Sequence, residues 1–525
     1  MIRSAAAPAE QAATARHGGR PLVLGVLVTV LFLTFLDNTI VSVALGSVQS
    51  DLHAGVTALQ WVVSAYALTF AAAMLGFGMV GDEFGRKRVM LAGVGVFCAG
   101  SVLAALAPDV GVLIAGRAVM GLGAAASEPG TLSMLRHVYT GERARARAVG
   151  VWAGVSGLAL AAGPVVGGAL LGVWDWRAIF WFNVVFGLAI LVAGVIVLPE
   201  SSDPDAHRVD IGGTVLVAAA LTAFVFAVIG GEDSGFTSPG VLGLLGLSAV
   251  AAAAFLWWES RVAHPLLDLR YLRVPRFATA NLVAFCAYFA TFAVFFFTAL
   301  YLEEVVGDSG YQIALVFLPM TTLMIVASVV AGRWTSAAGP RWSIVVGCLL
   351  FSAGLLLTTV TLSPDPPYAP LALALALTGI GIGTTVVPIT SSVLSAVPPE
   401  RSGMAASAAN TSREIGAVTG VAILGALVNA QLHASLIGRL KHLGIPANFQ
   451  SIVINAIETG TVPSSGHAQA AGPAGQGQIV QEVIHAAYGA FYSGLHAALV
   501  LSAVMVLAAG LFTFVDLGRT HQARP

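Results

Sequence analysis

The sequence predicts an all-α, polytopic membrane protein of about fourteen transmembrane helices. Three observations carry this. Of the 525 residues, 57% are hydrophobic and only 10% are charged, against roughly 25% charged in soluble domains. Long apolar runs recur along the chain with short polar connections. Clustered Arg and Lys residues fall on alternate connections, as the positive-inside rule requires.

The apolar runs cover 21–46, 57–80, 89–107, 109–135, 147–171, 177–198, 210–230, 240–259, 276–302, 311–332, 342–361, 368–396, 405–431 and 487–516. Each is long enough, at ~1.5 Å per residue, to cross a hydrocarbon core of ~30 Å. Residues 1–20 are Ala-rich and lack an apolar core, so they read as a disordered cytoplasmic tail rather than a cleavable leader. Arg86, Lys87 and Arg88 follow the second run, Arg143, Arg145 and Arg147 follow the fourth, and Arg261, Arg270, Arg273 and Arg276 follow the eighth. The intervening connections hold Asp51, Asp109, Asp175, Glu232, Asp233, Asp308 and Asp365. Both termini are therefore expected in the cytoplasm. The long connection 432–486 is expected outside, with a flexible Gly/Ser/Ala-rich middle.

An internal repeat sets the domain organisation. Gly78, Asp82, Gly85, Arg86 and Lys87 follow the second run; after the tenth, Gly332, Ser336, Gly339 and Arg341 repeat the glycine spacing. The division expected is an N-terminal six-helix bundle (21–198), a linker with two extra helices (199–275), a C-terminal six-helix bundle (276–516, including 432–486) and a cytoplasmic tail (517–525). Parallel repeats of this kind place a substrate site between the halves.

Ionisable residues inside apolar runs cost several kcal/mol and normally face a cavity or a partner. Asp37 stands in the first run and Arg117 in the fourth; counted from the outer ends, both lie roughly 12 Å deep. They meet either as a proton carrier and its regulator or as a structural ion pair. Glu128 is three helical turns beyond Arg117, ~16 Å along the axis, and cannot pair with it. It titrates in the inner half of the cavity, attracts a cationic substrate, or neutralises Arg86. Span thirteen carries Asn410, Thr411, Arg413 and Glu414, the last two on different faces. Phe285, Phe289, Phe292 and Phe296 form a stripe on span nine, either core or a substrate wall. Glu303 and Glu304 at its outer end read as solvated. Asp37, Glu128, Phe289, Phe292 and Asn410 are the expected cavity residues.

Gly163, Pro164, Gly167 and Gly168 make span five a smooth, bent, close-packed helix, with Pro164 releasing the carbonyl of Leu160. Cys98, Cys286 and Cys348 have no metal-ligand spacing and read as packing residues. No P-loop, HExxH or nucleophile constellation is present in the sequence, which argues against an ATP-driven pump and against an enzyme. No cofactor or metal is expected, and no nucleic acid.

These residues resemble the major facilitator superfamily, and within it the fourteen-helix drug/proton antiporter group. The resemblance rests on Leu36-Asp37-Asn38-Thr39-Ile40, Gly78 to Arg88, Arg117 to Ala124, Gly163-Pro164-Val165-Val166-Gly167-Gly168, Trp176-Arg177 with Asn183, and Asn410 to Gly416. It implies a proton-coupled exporter in a bacterial cytoplasmic membrane, with a small-molecule substrate (lipophilic drugs, antibiotics or related small metabolites) and protons as partners alongside the bilayer, and a monomer. It implies Asp37 as coupling acid, Arg117 in proton transfer, Asp82 and Arg86 with Gly78, Gly85 and Lys87 as a cytoplasmic gate, and the Gly163–Gly168 element as the antiporter motif. Glu128 has no counterpart in the usual pattern, and Gly46, Glu83, Val184, Glu303 and Glu414 depart from it. The rival expectations are an uptake symporter of the same fold and a non-transporting membrane sensor.

Overall fold

A computed structural model describes residues 20–202, 210–263, 265–363, 366–398, 402–442 and 476–522. Among these, fourteen helices are long and apolar enough to cross a membrane. They are α1 (Arg20–Leu52), α2 (Val56–Phe84), α3 (Arg86–Ala105), α4 (Val110–Val138), α5 (Glu142–Val173), α6 (Arg177–Val197) and α7 (Ile211–Ser234). After them come α8 (Pro239–Glu259), α9 (Pro275–Tyr301), α10 (Gly310–Ala338), α11 (Pro340–Thr361), α12 (Tyr368–Ser395), α13 (Ser402–His442) and α14 (Gln476–Gln522).

The local sequence explains where these helices begin and end. Asp109 caps α4 by accepting the Val112 N–H at 3.0 Å, and Ser309 with Gln312 forms a capping box at the start of α10. Gly85 and Gly339 end α2 and α10 at φ of +108° and +80°, a region that favours glycine. Two helices change pitch along their length: α1 tightens to a 3-10 turn at Val41–Ala44, and α9 widens to π geometry at Ala293–Thr298, with a second π segment, Leu302–Val306, continuing directly from its end.

Helices α1–α6 pack among themselves, as do α9–α14. The two groups meet along α5 with α10 and α2 with α13, which are equivalent pairs under the repeat. The repeat is also written in backbone contacts. On α3, a Cβ at Gly93 would lie 2.7 Å from the Gly123 carbonyl, and one at Gly100 2.7 Å from Met120 N. On α11, one at Gly347 would lie 2.6 Å from Thr385 Cγ2, and one at Gly354 2.5 Å from Thr378 N. Gly78 and Gly332, Gly85 and Gly339, Gly93 and Gly347, and Gly100 and Gly354 are all separated by the same length of chain. Helix α7 lies against α2 and α13, while α8 packs mainly on α7. Burial follows: 89% of the α9 membrane window is buried, against 11% for α8.

The structure corrects the extent of the connection 432–486. Helix α13 runs on to His442 and α14 already begins at Gln476. Leu432, Leu436 and Leu440 pack with Ala486 and Ala490, so apolar residues at helical spacing continue two helices beyond the membrane stretch. The Gly/Ser/Ala-rich middle and the tails 1–19 and 523–525 lie outside the described residues.

Candidate functional site

Asp37 is fully buried on α1, where its carboxylate accepts hydrogen bonds from Arg117 Nη1 of α4 and, at 2.6 Å, from Asn183 Nδ2 of α6. Arg117 is held in turn: its Nε donates to the Val62 carbonyl at 3.0 Å, and its guanidinium lies 4.5 Å from the Tyr66 ring centroid. The Tyr66 hydroxyl donates to the Thr34 carbonyl at 3.0 Å. One acid and one base are thus buried with a polar amide and an aromatic face, so the pair is charge-balanced and well hydrogen-bonded. Both conditions are needed for ions kept from water.

The next residue on α1 points elsewhere. Asn38 reaches across to the second group and donates Nδ2 to Glu414 Oε1 of α13 at 3.4 Å. In the opposite sense, Asn410 of α13 donates Nδ2 to Glu128 Oε1 of α4 at 2.5 Å. Asn410 also accepts from Arg413 Nη1 at 3.0 Å, while Arg413 Nη2 donates to Thr390 Oγ1 of α12 at 2.6 Å. Arg413 and Glu414 therefore have separate partners. Glu128, Arg413 and Glu414 are all buried. A crevice lined by Met74, Pro129, Leu132, Trp152 and Ser407 reaches Glu128.

The α5 glycines are contact points. Pro164 leaves the Leu160 carbonyl without its helical donor, and Thr39 Oγ1 of α1 donates to it at 2.9 Å. Beside that bond, a Cβ on Gly163 would lie 2.9 Å from Ile40 N; one on Gly167 would lie 2.7 Å from Val43 Cγ2, and one on Gly168 2.6 Å from Ala314 Cβ of α10. The same device recurs at other prolines. Tyr368 donates to the Leu315 carbonyl released by Pro319, at 3.3 Å, and Ser343 to the Thr384 carbonyl released by Pro388, at 3.1 Å.

At the Arg86 end, Asp82 accepts from Arg86 Nε at 2.7 Å within α2–α3, and Lys87 Nζ donates to the Val195 and Leu198 carbonyls at the end of α6. Arg86 is thus paired with Asp82 and not with Glu128. A Cβ on Gly78 would lie 3.7 Å from both Pro129 Cβ and Ser407 Oγ, so this end of α2 faces α13 closely.

At the Trp176 end, the expectation of a solvated Glu303 is overturned. Its carboxylate accepts from the Gly46 N–H and the Ser47 hydroxyl of α1, each at 2.9 Å. The π geometry of Leu302–Val306 carries Glu303, while the 3-10 turn of α1 restarts a helix at Leu45, whose first N–H groups lack intrahelical acceptors. The side chain of Glu304 lies outside the described residues. Asp51 accepts from Trp176 Nε1 and Arg177 Nη1 nearby, at 3.0 and 2.8 Å. These residues rim a vestibule of about 410 Å³, where burial pushes the Asp308 carboxyl above its ordinary value.

The structure brings Asp37 together with Arg117, and Glu128 with Asn410. Phe289 and Phe292 are buried, with Phe289 packed on Gly420 of α13, and neither lines the crevice at Glu128. Reading the sequence by depth along single helices missed Asn38 and Glu414 as partners. It met Asn183 only through the resemblance, although a buried amide in an otherwise apolar span was the available signal. Among the described residues, no group of three His, Cys, Asp or Glu side chains is arranged to hold a metal.

Residues 27–421 match the Major Facilitator Superfamily. The chain is 32% identical over 511 residues to the tetracenomycin C resistance and export protein of Streptomyces glaucescens, covering 96% of this chain and 92% of that one. It is 33% identical over 427 residues to the multidrug resistance protein Stp of Mycobacterium tuberculosis, covering 81% and 79%. Among solved structures, a bacterial homologue of the human lysosomal transporter Spinster, inward-facing and unoccupied, superimposes with a TM-score of 0.64 at 16% identity, covering 97% and 98%. That likeness concerns the fold.

Proposed function

The chain belongs to the Major Facilitator Superfamily, and from that premise we propose that it is a proton-coupled exporter of lipophilic drugs, antibiotics or related small metabolites. It is a multipass protein of the cytoplasmic membrane, works as a monomer within the bilayer, and has both termini and the Arg86 end in the cytoplasm. The six-helix bundles 21–198 and 276–516 are its rocking units, and 199–275 links them.

One observation carries the reading. Asp37 faces Arg117 and Asn183 inside the first bundle, and its chain neighbour Asn38 holds Glu414 of the second. A proton arriving on Asp37 removes the charge that Arg117 and Asn183 hold. The helix that carries Asp37 also carries a bond across the bundle interface, so a change at the first loosens the second. Proton occupancy thereby biases the two arrangements of the bundles, as a coupled transporter requires.

The other elements take supporting roles. Gly78, Asp82, Gly85, Arg86 and Lys87 close the cytoplasmic end, and Glu303 with Gly46 and Ser47 closes the outer end. Gly163, Pro164, Gly167 and Gly168 let α5 slide against α1 and α10 without side-chain interlocking. The resistance and export functions of the relatives support the outward direction.

The test uses everted vesicles carrying the protein, energised by an inward-acid pH gradient and loaded by uptake of a fluorescent lipophilic drug. The wild type accumulates the drug and dissipates the gradient. Asp37→Asn, present in the membrane in equal amount, does neither. Drug movement indifferent to the gradient and to Asp37→Asn would sink the reading.

A further inference from the structure

Helices α7 and α8 close on two buried acids at the Arg86 end. Asp210 caps α7, its carboxylate accepting from the Gly213 N–H and from Trp258 Nε1 of α8, each at 2.9 Å. Glu259 is the last residue of α8 and only 3% exposed. Its Oε2 accepts from the Leu267 N–H at 3.0 Å, while its Oε1 is buried without a partner. A Cβ on Gly213 would lie 2.5 Å from Glu259 Oε1 and 2.7 Å from Asp210 Oδ2, so the two acids flank one glycine.

The two positions differ in what they offer a negative charge. Asp210 has a backbone N–H, an indole N–H and the positive end of α7. Glu259 has the Leu267 N–H, the negative end of α8, and Asp210 as the charged group facing it. Among the described residues, the basic side chains of the connection after α8 are engaged elsewhere: Arg261 lies over Trp257, and Arg270 pairs with Asp268. The neighbours packed with Leu266 are Leu75 and Met79 of α2, Val217 of α7 and Phe255 of α8, none of which titrates. A carboxylate kept from water calls for a balancing charge or a full set of donors. Glu259 has neither.

We infer that Glu259 is a proton-binding site of the α7–α8 hairpin, loaded in this arrangement, whose emptying as the solution at the Arg86 end turns alkaline frees the connection after α8 from α2. The step is one proton leaving the carboxyl for water. Left ionised, Glu259 repels Asp210 and needs water that the apolar cluster excludes, so the connection has to lift. The packing that carries this to α2 is short. Leu267, held by Glu259, follows Leu266, which shares a cluster with Leu75 and Met79; Met79 in turn follows Gly78 of the proposed gate. Thr214 of α7 donates to the Asp210 carbonyl at 2.8 Å and lies against Gly76 of α2, where a Cβ would meet its Cγ2 at 2.8 Å. The site stands outside both six-helix bundles and apart from Asp37. It regulates the gate and moves no substrate, and it takes from the proposed function only the cytoplasmic placement of this end.

The experiment uses the full-length protein in detergent, with neither drug nor gradient. Infrared spectra report protonated carboxyl groups, and spin labels on Ala263→Cys and Phe84→Cys report the distance from the connection to α2. Both labelled positions are exposed, and Cys98, Cys286 and Cys348 are buried. The wild type is expected to lose a protonated-carboxyl band as pH rises, with the label distance lengthening over the same interval. Glu259→Gln, neutral at every pH, lacks that band and keeps the short distance throughout. Asp210→Asn keeps the cap and removes the like charge, so both transitions move to lower pH.

Four results would overturn the inference: no band that Glu259→Gln removes, a distance change that persists in Glu259→Gln, an unmoved midpoint in Asp210→Asn, or a transition set at fixed pH by sodium, potassium or magnesium, which would make the site a metal-cation site. Should Asp210→Asn not fold, the wild type against Glu259→Gln decides. Because no transport is measured, the outcome is separate from that of the vesicle assay.

Discussion

Thr39 donates its hydroxyl to the carbonyl of Leu160, the acceptor that Pro164 sets free on the neighbouring helix, at 2.9 Å. A proline kink in a membrane helix is tolerated when a neighbour takes up the released carbonyl, and here that neighbour stands two residues from Asp37. Thr39→Val keeps the shape and removes the donor. It should cost about 1–3 kcal/mol, the penalty for a buried unsatisfied carbonyl, and Thr39→Ser should recover most of it. Thermal unfolding in detergent checks this, and equal midpoints for the Val and Ser variants would contradict it.

Asp37 and Arg117 balance each other inside the first bundle. Removing one partner of a buried pair costs about 3–5 kcal/mol because a charge is left uncompensated. Arg117→Gln should therefore lower thermal stability substantially, while Asp37→Asn combined with Arg117→Gln should lie closer to the wild type. A double variant no more stable than Arg117→Gln would show that charge balance is not what holds the pair.

Glu303 ties the π segment of α9 to the restarted helix of α1. Glu303→Ala should release the Trp176 end, so that Ser47→Cys becomes several-fold more reactive toward a membrane-impermeant thiol reagent applied from the side on which the proposed orientation places that end. Cys98, Cys286 and Cys348 are all buried, which keeps background labelling low. Unchanged reactivity would mean that the contact does not hold the Trp176 end closed.

Gly85 and Gly339 share a positive φ at equivalent places in the repeat, yet their surroundings differ. A Cβ at Gly85 would lie 2.9 Å from Glu200 Oε1, while nothing lies within 4 Å of one at Gly339. Gly339→Ala should thus report the backbone cost alone, about 1 kcal/mol, and Gly85→Ala should cost more. Chemical denaturation of the two variants compares them directly.

The membrane spans were legible because burial in lipid demands long apolar helices whatever their neighbours, and Pro164 announced its freed carbonyl because the proline ring removes a fixed hydrogen bond. Depth counting placed Asp37 level with Arg117 for the same reason: rise per residue is constant along a helix. What stayed hidden were partners whose meeting depends on how helices are arranged. Asn38 and Glu414 are 376 residues apart, and nothing local to either specifies the other. Glu303 was misread because ordinary helical pitch carries no hint of the π turn that aims it at Gly46. The extension of α13 to His442 and of α14 back to Gln476 was missed because its polar faces resemble loop composition until the Leu stripe of α13 is seen to pack on Ala486 and Ala490 of α14.

The glycine-lined backbones of α3 on α4 and of α11 on α12 leave no slack between them, so each couple travels as a stiff plank. Even Pro388 of α12 is braced inside its couple, by Ser343 of α11, so deformation during the proposed transport cycle falls on helices outside the couples, among them α1, α5, α9 and α10, each with a 3-10 turn, a proline or a π segment. An inhibitor seeking to jam the machine would gain little by gripping the planks. Wedged beside one of those four pliant rods, a small molecule would arrest the whole stroke.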